Sequence, residues 1–240
     1  MATAPRLPKR VVLKLSGQSL AGPMRWGIDL KSLFAIAREL KYAHDDKVQV
    51  GIVVGGGNIW RGGRDQGLQL DRVIADNMGM LATIINALAL QDACEQVGVH
   101  TRVLSAVEVA KVAEPFIRRR AIRHLEKGRM VIFAAGTGNP YFSTDTAAAL
   151  RAVEIGADLL LKATRVDGVY SDDPAKNPKA RRFKSISHQD AIQKKLKIMD
   201  TSALALCQEH RLPIRVFDMT VPGNIRRALR GDSLGTLLGN

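Results

Sequence analysis

The chain has 240 residues, 46% hydrophobic and 5% aromatic, with a formal net charge of +13. That length holds one large α/β domain or two small ones, and with no run of 18 uncharged apolar residues, and after the basic residues of 1–8 no apolar run ended by a cleavage site (Val11 to Leu15 is interrupted by Lys14), neither a membrane span nor a leader is expected. The basic balance attracts phosphates, from nucleotides to nucleic acids, while the two cysteines, Cys94 and Cys207, sit in helical patterns as small apolar residues of a reducing, cytoplasmic compartment.

Residues 10–15, Arg-Val-Val-Leu-Lys-Leu, are rich in β-branched residues and read as a buried strand closed by Ser16-Gly17. Residues 18–27 contain Gly22, Pro23 and Gly27 and read as a loop. Asp29 is placed to cap a helix whose apolar face is Leu30, Leu33, Ala37 and Leu40. Residues 48–54 form a second buried strand, followed by Gly55-Gly56-Gly57. Ile74, Met78, Leu81, Ile85 and Leu88 share one face of 71–97. That segment is long for a globular helix, which predicts two consecutive helices or an element that also packs on a partner chain.

Residues 102–104 read as a short strand, and Pro115 as the start of a basic helix over 116–127 ended by Gly128. Residues 130–135 are a strand, and the Ala-rich 147–153 a helix. A strand at 158–162 leads into an extended loop over 163–184, with a hairpin around 166–170. Helices follow at 188–196 and, from a cap at Asp200, at 201–210. The chain closes with a strand at 214–217, a helix from Pro222 to about Leu229 and a strand at 235–238. Strands alternating with helices predict one domain with a mainly parallel sheet and helices on both faces, residues 1–8 being flexible.

Five stretches carry chemistry. In the first, Lys14 interrupts an apolar strand end, where a buried ammonium needs an anion, and Ser16-Gly17 lets backbone approach a phosphate. In the second, three glycines follow a buried strand, with Arg61 one helical turn beyond Gly57. This is neither the P-loop nor the dinucleotide fingerprint. Asp76 with Asn77 lies in an apolar helical segment, where a carboxylate could take a sugar hydroxyl. In the fourth, Lys162 again ends an apolar strand. The fifth is 131–146, an apolar run opening through Gly, Thr, Asn and Pro into hydroxyls, Asp145 and a helix start, a seat for an anion. Two strand-end lysines and two glycine-bearing loops converge on one sheet edge, as phosphoryl transfer requires.

Together these stretches resemble the bacterial uridylate kinases of the amino acid kinase family, over residues 9–238 and in matching order. The segments are KLSG at 14–17, GGGN-x-x-RG at 55–62, AGTGNP-x-F-x-TD at 135–145, KAT-x-VDGVY at 162–170 and DPAK at 173–176. The resemblance implies a three-layer α/β/α sandwich and transfer of the ATP γ-phosphoryl group to UMP with Mg²⁺, giving UDP and ADP, in de novo pyrimidine nucleotide biosynthesis. It implies that Lys14, Leu15, Ser16 and Gly17 cradle the ATP phosphates, with Gly57 and Arg61 near the transfer point. Thr164, Tyr170 and Asp173 would surround the ATP base and ribose. Gly56, Asp76 and the run Thr137, Gly138, Asn139, Pro140, Tyr141, Phe142, Ser143 and Thr144 would bind UMP. Lys14, Lys162 and Asp145 would be catalytic, Asp145 also reaching the Mg²⁺ shell, with no residue assigned as a direct metal ligand; Asp200 would help to position a lysine. The resemblance further implies a homohexamer, activated by GTP at Asp92, Arg102 and Arg129 and inhibited by UTP. Four positions depart from the pattern: Gln91 and Arg118 stand where some members carry Arg and Trp, Gln18 replaces a common Glu and Ser19 the following Ala.

Two other readings compete. The +13 charge and the runs Arg118-Arg119-Arg120 and Arg226-Arg227 suit a nucleic-acid-binding regulator. Scattered charge and few aromatics for stacking bases make that role secondary. A kinase of the same family acting on a carboxylate or carbamate would share the first two loops but not the GTGNP stretch.

Overall fold

The computed structural model describes residues 8–61, 70–174, 176–196 and 198–239. Residues 1–7, nearly all of the segment expected to be flexible, lie outside it, as do Gly62 of the second glycine stretch, Ala175 of the DPAK segment and Lys197.

Strand β1 (Arg10–Leu15) ends at Ser16, whose hydroxyl caps the short helix α1 (Gly17–Ala21), and a 3-10 turn (Gly22–Met24) follows. The loop expected over 18–27 therefore holds a helical turn, because a Ser cap in front of Gln-Ser-Leu-Ala outweighs the glycine and proline beyond it. Helix α2 (Leu30–Asp45) starts where Asp29 accepts from Ser32 N, as expected. Its buried face is Leu33, Ile36, Ala37, Leu40 and Ala43, and Leu30 points to solvent. Strand β2 (Gln49–Val54) precedes α3 (Arg72–Gln96), which is one continuous helix of 25 residues rather than two.

Three of the five residues of the stripe read on α3 face outward: Ile74, Leu81 and Ile85 are each about half exposed, at 51%, 51% and 50%, while Leu88 packs against the core. The core takes the opposite face, Ala75, Ala82, Ile84, Ala87 and Leu90, whose three alanines let the helix lie close to the sheet. By length and hydropathy α3 could cross a bilayer, but that face is packed in the core.

Strands β3 (Thr101–Ser105) and β4 (Glu114–Pro115) come next, so Pro115 lies in an edge strand and the basic helix α4 (Arg118–Glu126) begins later than expected. An edge strand tolerates a residue without a donor. Strand β5 (Met130–Ala134) leads through the glycine loop to α5 (Thr144–Ile155). After β6 (Leu159–Thr164) an antiparallel bridge joins Tyr170 to Arg182, so the expected hairpin is wider than 166–170. A strand β7 (Ser185–Ser187), too short to show a pattern, precedes α6 (His188–Gln193) and α7 (Thr201–Glu209). Strand β8 (Ile214–Asp218), α8 (Asn224–Leu229) and β9 (Thr236–Gly239) finish the chain.

The strands form one sheet in the order β4-β3-β5-β2-β1-β6-β8-β9-β7, parallel except for the β8–β9 pair. Helices cover both faces, giving the α/β/α sandwich. Val11, Leu13 and Leu15 join the layer of α2, α3 and α8, while Val12 joins that of α4, α5, α6 and α7. Alternation along β1 therefore turns Lys14 toward the α5 layer. Parallel strands place β1, β2, β5 and β6 with their carboxyl ends on one edge, the position where such sheets bind ligands.

Candidate active site

Lys14 and Lys162 end neighbouring strands and are register partners across β1 and β6. Both side chains point toward the start of α5, where Asp145 sits in the first turn. Lys14 Nζ lies 2.8 Å from Asp145 Oδ1, and Lys162 Nζ 2.7 Å from Oδ2. Lys162 also donates to the carbonyl of Ile198. The three side chains are only 13–15% exposed. Burial pushes the Asp145 carboxyl up, but the charges of Lys14 and Lys162 outweigh it and hold the group below the usual carboxylate range. Burial pulls Lys162 below the usual lysine range, helped by the charge of Lys14 and opposed by Asp145 and Asp200. With all three ionised the trio carries one net positive charge, set to meet a further anion.

The first two loops interlock beside it. Gly55 N donates to Leu15 O, and a Cβ on Gly17 would lie 2.4 Å from Asn58 Oδ1 and 2.6 Å from Gly55 O. A Cβ on Gly56 would lie 2.7 Å from Gly79 O on α3, so both positions require glycine. Gln18 Nε2 and Arg61 Nε each donate to Gly57 O, at 2.8 and 3.1 Å. Arg61 thus folds back on its own loop. Leu15 is buried, with its side chain in the core, so only its backbone faces the edge. Beneath the loops lies an amide pair: Asn86 donates to Gly55 O (2.8 Å) and Asn58 Oδ1 (2.6 Å), and Asn58 to Asn86 Oδ1 (3.0 Å) and Gly27 O (2.8 Å). Both residues are fully buried.

The loop after β5 walls a cleft of about 260 Å³ against α3, lined by Gly56, Gly57, Asp76, Thr137, Asn139, Phe142, Ser143 and Thr144 among others. Asp76 accepts from Tyr141 N (2.8 Å) and Arg72 Nε (2.7 Å), tying helix to loop. Gly138, Pro140 and Tyr141 shape the loop without lining that cleft. Gly138 adopts φ 83° with a would-be Cβ 3.0 Å from Ala106 O. Ser143 caps α5, accepting from Asp145 N and Thr146 N at 3.0 and 3.2 Å. A second cleft, of about 530 Å³, opens on the other side of Lys162 and includes Thr164, Tyr170, Asp173, Lys176, Lys194 and Lys195 in its walls. Asp200 lines neither cleft. It caps α7 at Ala203 N and accepts from Thr146 Oγ1 (2.9 Å) and the Ser143 hydroxyl, rather than bonding a lysine.

Asp92, Arg102 and Arg129 stand apart from these clefts. Arg102 pairs with Glu95 at 3.2 Å, and Glu114 collects Arg102 (4.0 Å), Arg120 (3.6 Å) and His124 (3.2 Å). His124 Nδ1 in turn meets Arg129 Nη1 at 3.0 Å, so Arg102 and Arg129 belong to one chain of contacts; Asp92 accepts from Gln96. Gln91 bonds Thr101 O, and Arg118 bonds Glu154 O.

Sequence reasoning missed Asn86, Thr83 and Arg151. Asn86 and Thr83 are the polar exceptions on the buried face of α3, a signal visible only once the outward and inward faces are told apart. Arg151 lies in an Ala-rich helix with no motif around it.

The sequence model of the amino acid kinase family matches residues 9–218. The crystal structure of UMP kinase from Bacillus anthracis is 39% identical, covering 98% of this chain and 97% of that one, with a TM-score of 0.94. That of UMP kinase from Ureaplasma parvum is 40% identical, covering 97% and 99%, with a TM-score of 0.91. Uridylate kinase from Archaeoglobus fulgidus is 28% identical over 95% and 99%, with a TM-score of 0.75.

Proposed function

Because the chain belongs to the amino acid kinase family, we propose that it transfers the γ-phosphoryl group of ATP to UMP, giving UDP and ADP, in the synthesis of pyrimidine nucleotides. The observation that carries this reading is the Lys14–Asp145–Lys162 trio between two clefts. The smaller cleft, with the GTGNP loop and Asp76, takes UMP: Asp76 the ribose, Thr137 to Thr144 the uracil and phosphate, Gly56 the near side. The larger takes the ATP base and ribose at Thr164, Tyr170 and Asp173. Ser16, Gly17, Gly57 and the backbone of Leu15 face the ATP phosphates between them, with Arg61 swinging off Gly57 O to join.

A phosphoryl group in flight carries charge on its equatorial oxygens and asks for positioning and positive charge rather than covalent help. Lys14 and Lys162 supply the charge from fixed strand positions. Asp145 holds both ammonium groups apart and aimed. Among the described residues no group of three or more His, Cys, Asp or Glu is placed to hold a metal ion. Asp145 would meet Mg²⁺ carried in on ATP, an ion that keeps its waters and needs only one or two carboxylates. Bound there, with Asp145 at its shell, the ion would neutralise charge on the phosphates.

We read residues 1–240 as one cytoplasmic domain that assembles as a homohexamer. The outward apolar stripe of α3 supports contact between copies. The arginine cluster around Glu114, with Arg102 and Arg129, supports an effector site for GTP, to which we assign Asp92 as well; we take UTP as the inhibitor. Nucleic acid remains secondary, since Arg118 and Arg120 are engaged with Glu154 O and Glu114. A coupled assay over UMP, CMP, dUMP, AMP and small carboxylic acids, with ATP and Mg²⁺ and with a chelator control, tests the reading. UMP should be preferred by a wide margin; preference for a small acid overturns it.

A further inference from the structure

We infer that Arg151 and Thr83 are positioning residues for the acceptor-binding loop, holding its first turn from opposite sides. Directly after β5, Ala135 and Gly136 both adopt left-handed backbone, at φ 62° and 59°. For Ala135, whose Cβ crowds the following carbonyl oxygen there, this conformation is unfavourable, so something must hold it. Thr83 on α3 does so from one side: its hydroxyl accepts from Ala135 N at 2.8 Å and donates to Met80 O at 2.7 Å. From the other side, Arg151 on α5 donates through Nη2 to Gly136 O at 3.2 Å.

Arg151 is 4% exposed, an expensive place for a guanidinium. Its position is over-determined. Nη1 meets Glu154 at 2.6 Å, and the guanidinium lies 3.9 Å over the Phe116 ring, which stacks edge-on against Phe133 at 5.7 Å. An ion pair with Glu154 alone could form at the surface. Burial under the loop is explained by the reach to Gly136 O. Arg151 lines neither cleft, so it acts on the acceptor only through the turn, beyond which Thr137, Asn139 and Phe142 to Thr144 line the cleft wall; Thr83 lines that wall as well, so amide exchange over the loop, rather than KM alone, reads its part in the clamp.

This inference rests on the UMP reading of that cleft. Thr83→Val keeps the shape and removes the acceptor; Arg151→Met keeps the stem and removes the donors. Each should raise KM for UMP about ten- to a hundredfold, the scale set by small misplacements of a binding group, with KM for ATP within about twofold of wild type. Amide exchange over 136–142 should quicken while the central strands stay protected. Guanidinium ion at non-denaturing concentration should lower the UMP KM of Arg151→Ala. Wild-type protein that fails to turn over UMP sinks the acceptor reading, and exchange over 136–142 then still tests the clamp by itself. An unchanged UMP KM in both variants, a parallel rise for both substrates, or unchanged exchange overturns the clamp.

Discussion

Lys14 and Lys162 are paired in register across β1 and β6, and they close on opposite oxygens of Asp145 at 2.8 and 2.7 Å. Two ammonium groups on adjacent strands repel, and the carboxylate between them is what lets both stay buried. Lys14→Met removes a charge but keeps the stem; turnover should fall about 10²–10³-fold, as when one preorganised donor is lost, with the fold intact by circular dichroism. Asp145→Asn leaves the two cations facing each other and should also lower stability by about 3 kcal/mol, read from chemical denaturation. Wild-type turnover in either variant would refute the site.

The same trio sets two pH limits. Asp145 titrates below its ordinary value in the folded protein, so the folded state binds that proton less well than the unfolded chain. Its contribution to stability is present above the unfolded carboxylate value and is lost as pH falls through the folded one. Lys162 also titrates below its ordinary value. Its burial weakens the fold while the group is charged, and that penalty lifts as pH rises from the folded pKa to the ordinary lysine range. Activity should run the other way there: turnover should drop on the alkaline side before free lysine titrates. In Lys162→Arg the alkaline limb of the pH–rate profile should move upward, and a limb that does not move assigns it to another group.

Asn86 holds the glycine loops from below. Asn86→Ala strips Gly55 O and Asn58 of buried partners, each worth about 1–3 kcal/mol when left unmet. The denaturation midpoint should fall by an amount equivalent to about 3 kcal/mol at unchanged slope. A shift below about 0.5 kcal/mol would mean that the pair does not carry the loops.

Leu81 and Ile85 lie on the exposed face of α3. Leu81→Glu with Ile85→Glu should reduce the assembled mass in light scattering while leaving each chain folded. A wild-type chain that runs as a monomer at micromolar concentration contradicts the oligomer reading.

Much of this was legible from residues alone. The strand-end lysines and glycine runs pointed to one edge of the sheet because charge and missing side chains are costly in strands unless a ligand calls for them, and the fold does bring them together there. Helix caps at Asp29 and Asp200 follow from short polar side chains before apolar runs, whereas the helix expected at 147–153 starts three residues earlier, capped by Ser143. What stayed hidden was orientation. The stripe on α3 has helical spacing whether it faces the core or a second copy, and small residues such as Ala82 and Ala87, which look neutral in sequence, decide the question by close packing. Arg151 was invisible because its partners, Gly136 O and the Phe116 ring, are brought to it only by the fold.

Asp200 fastens the start of α7 to Ser143 and Thr146. Two residues earlier, Ile198 walls the donor-side cleft and takes a hydrogen bond from Lys162. Ser143 walls the acceptor-side cleft. Whatever shifts one wall therefore pulls on the other across a link two residues long. On the proposed reading, occupancy of one cleft is expected to change affinity in the other without contact between the nucleotides, and by reciprocity the factor would be the same in both directions.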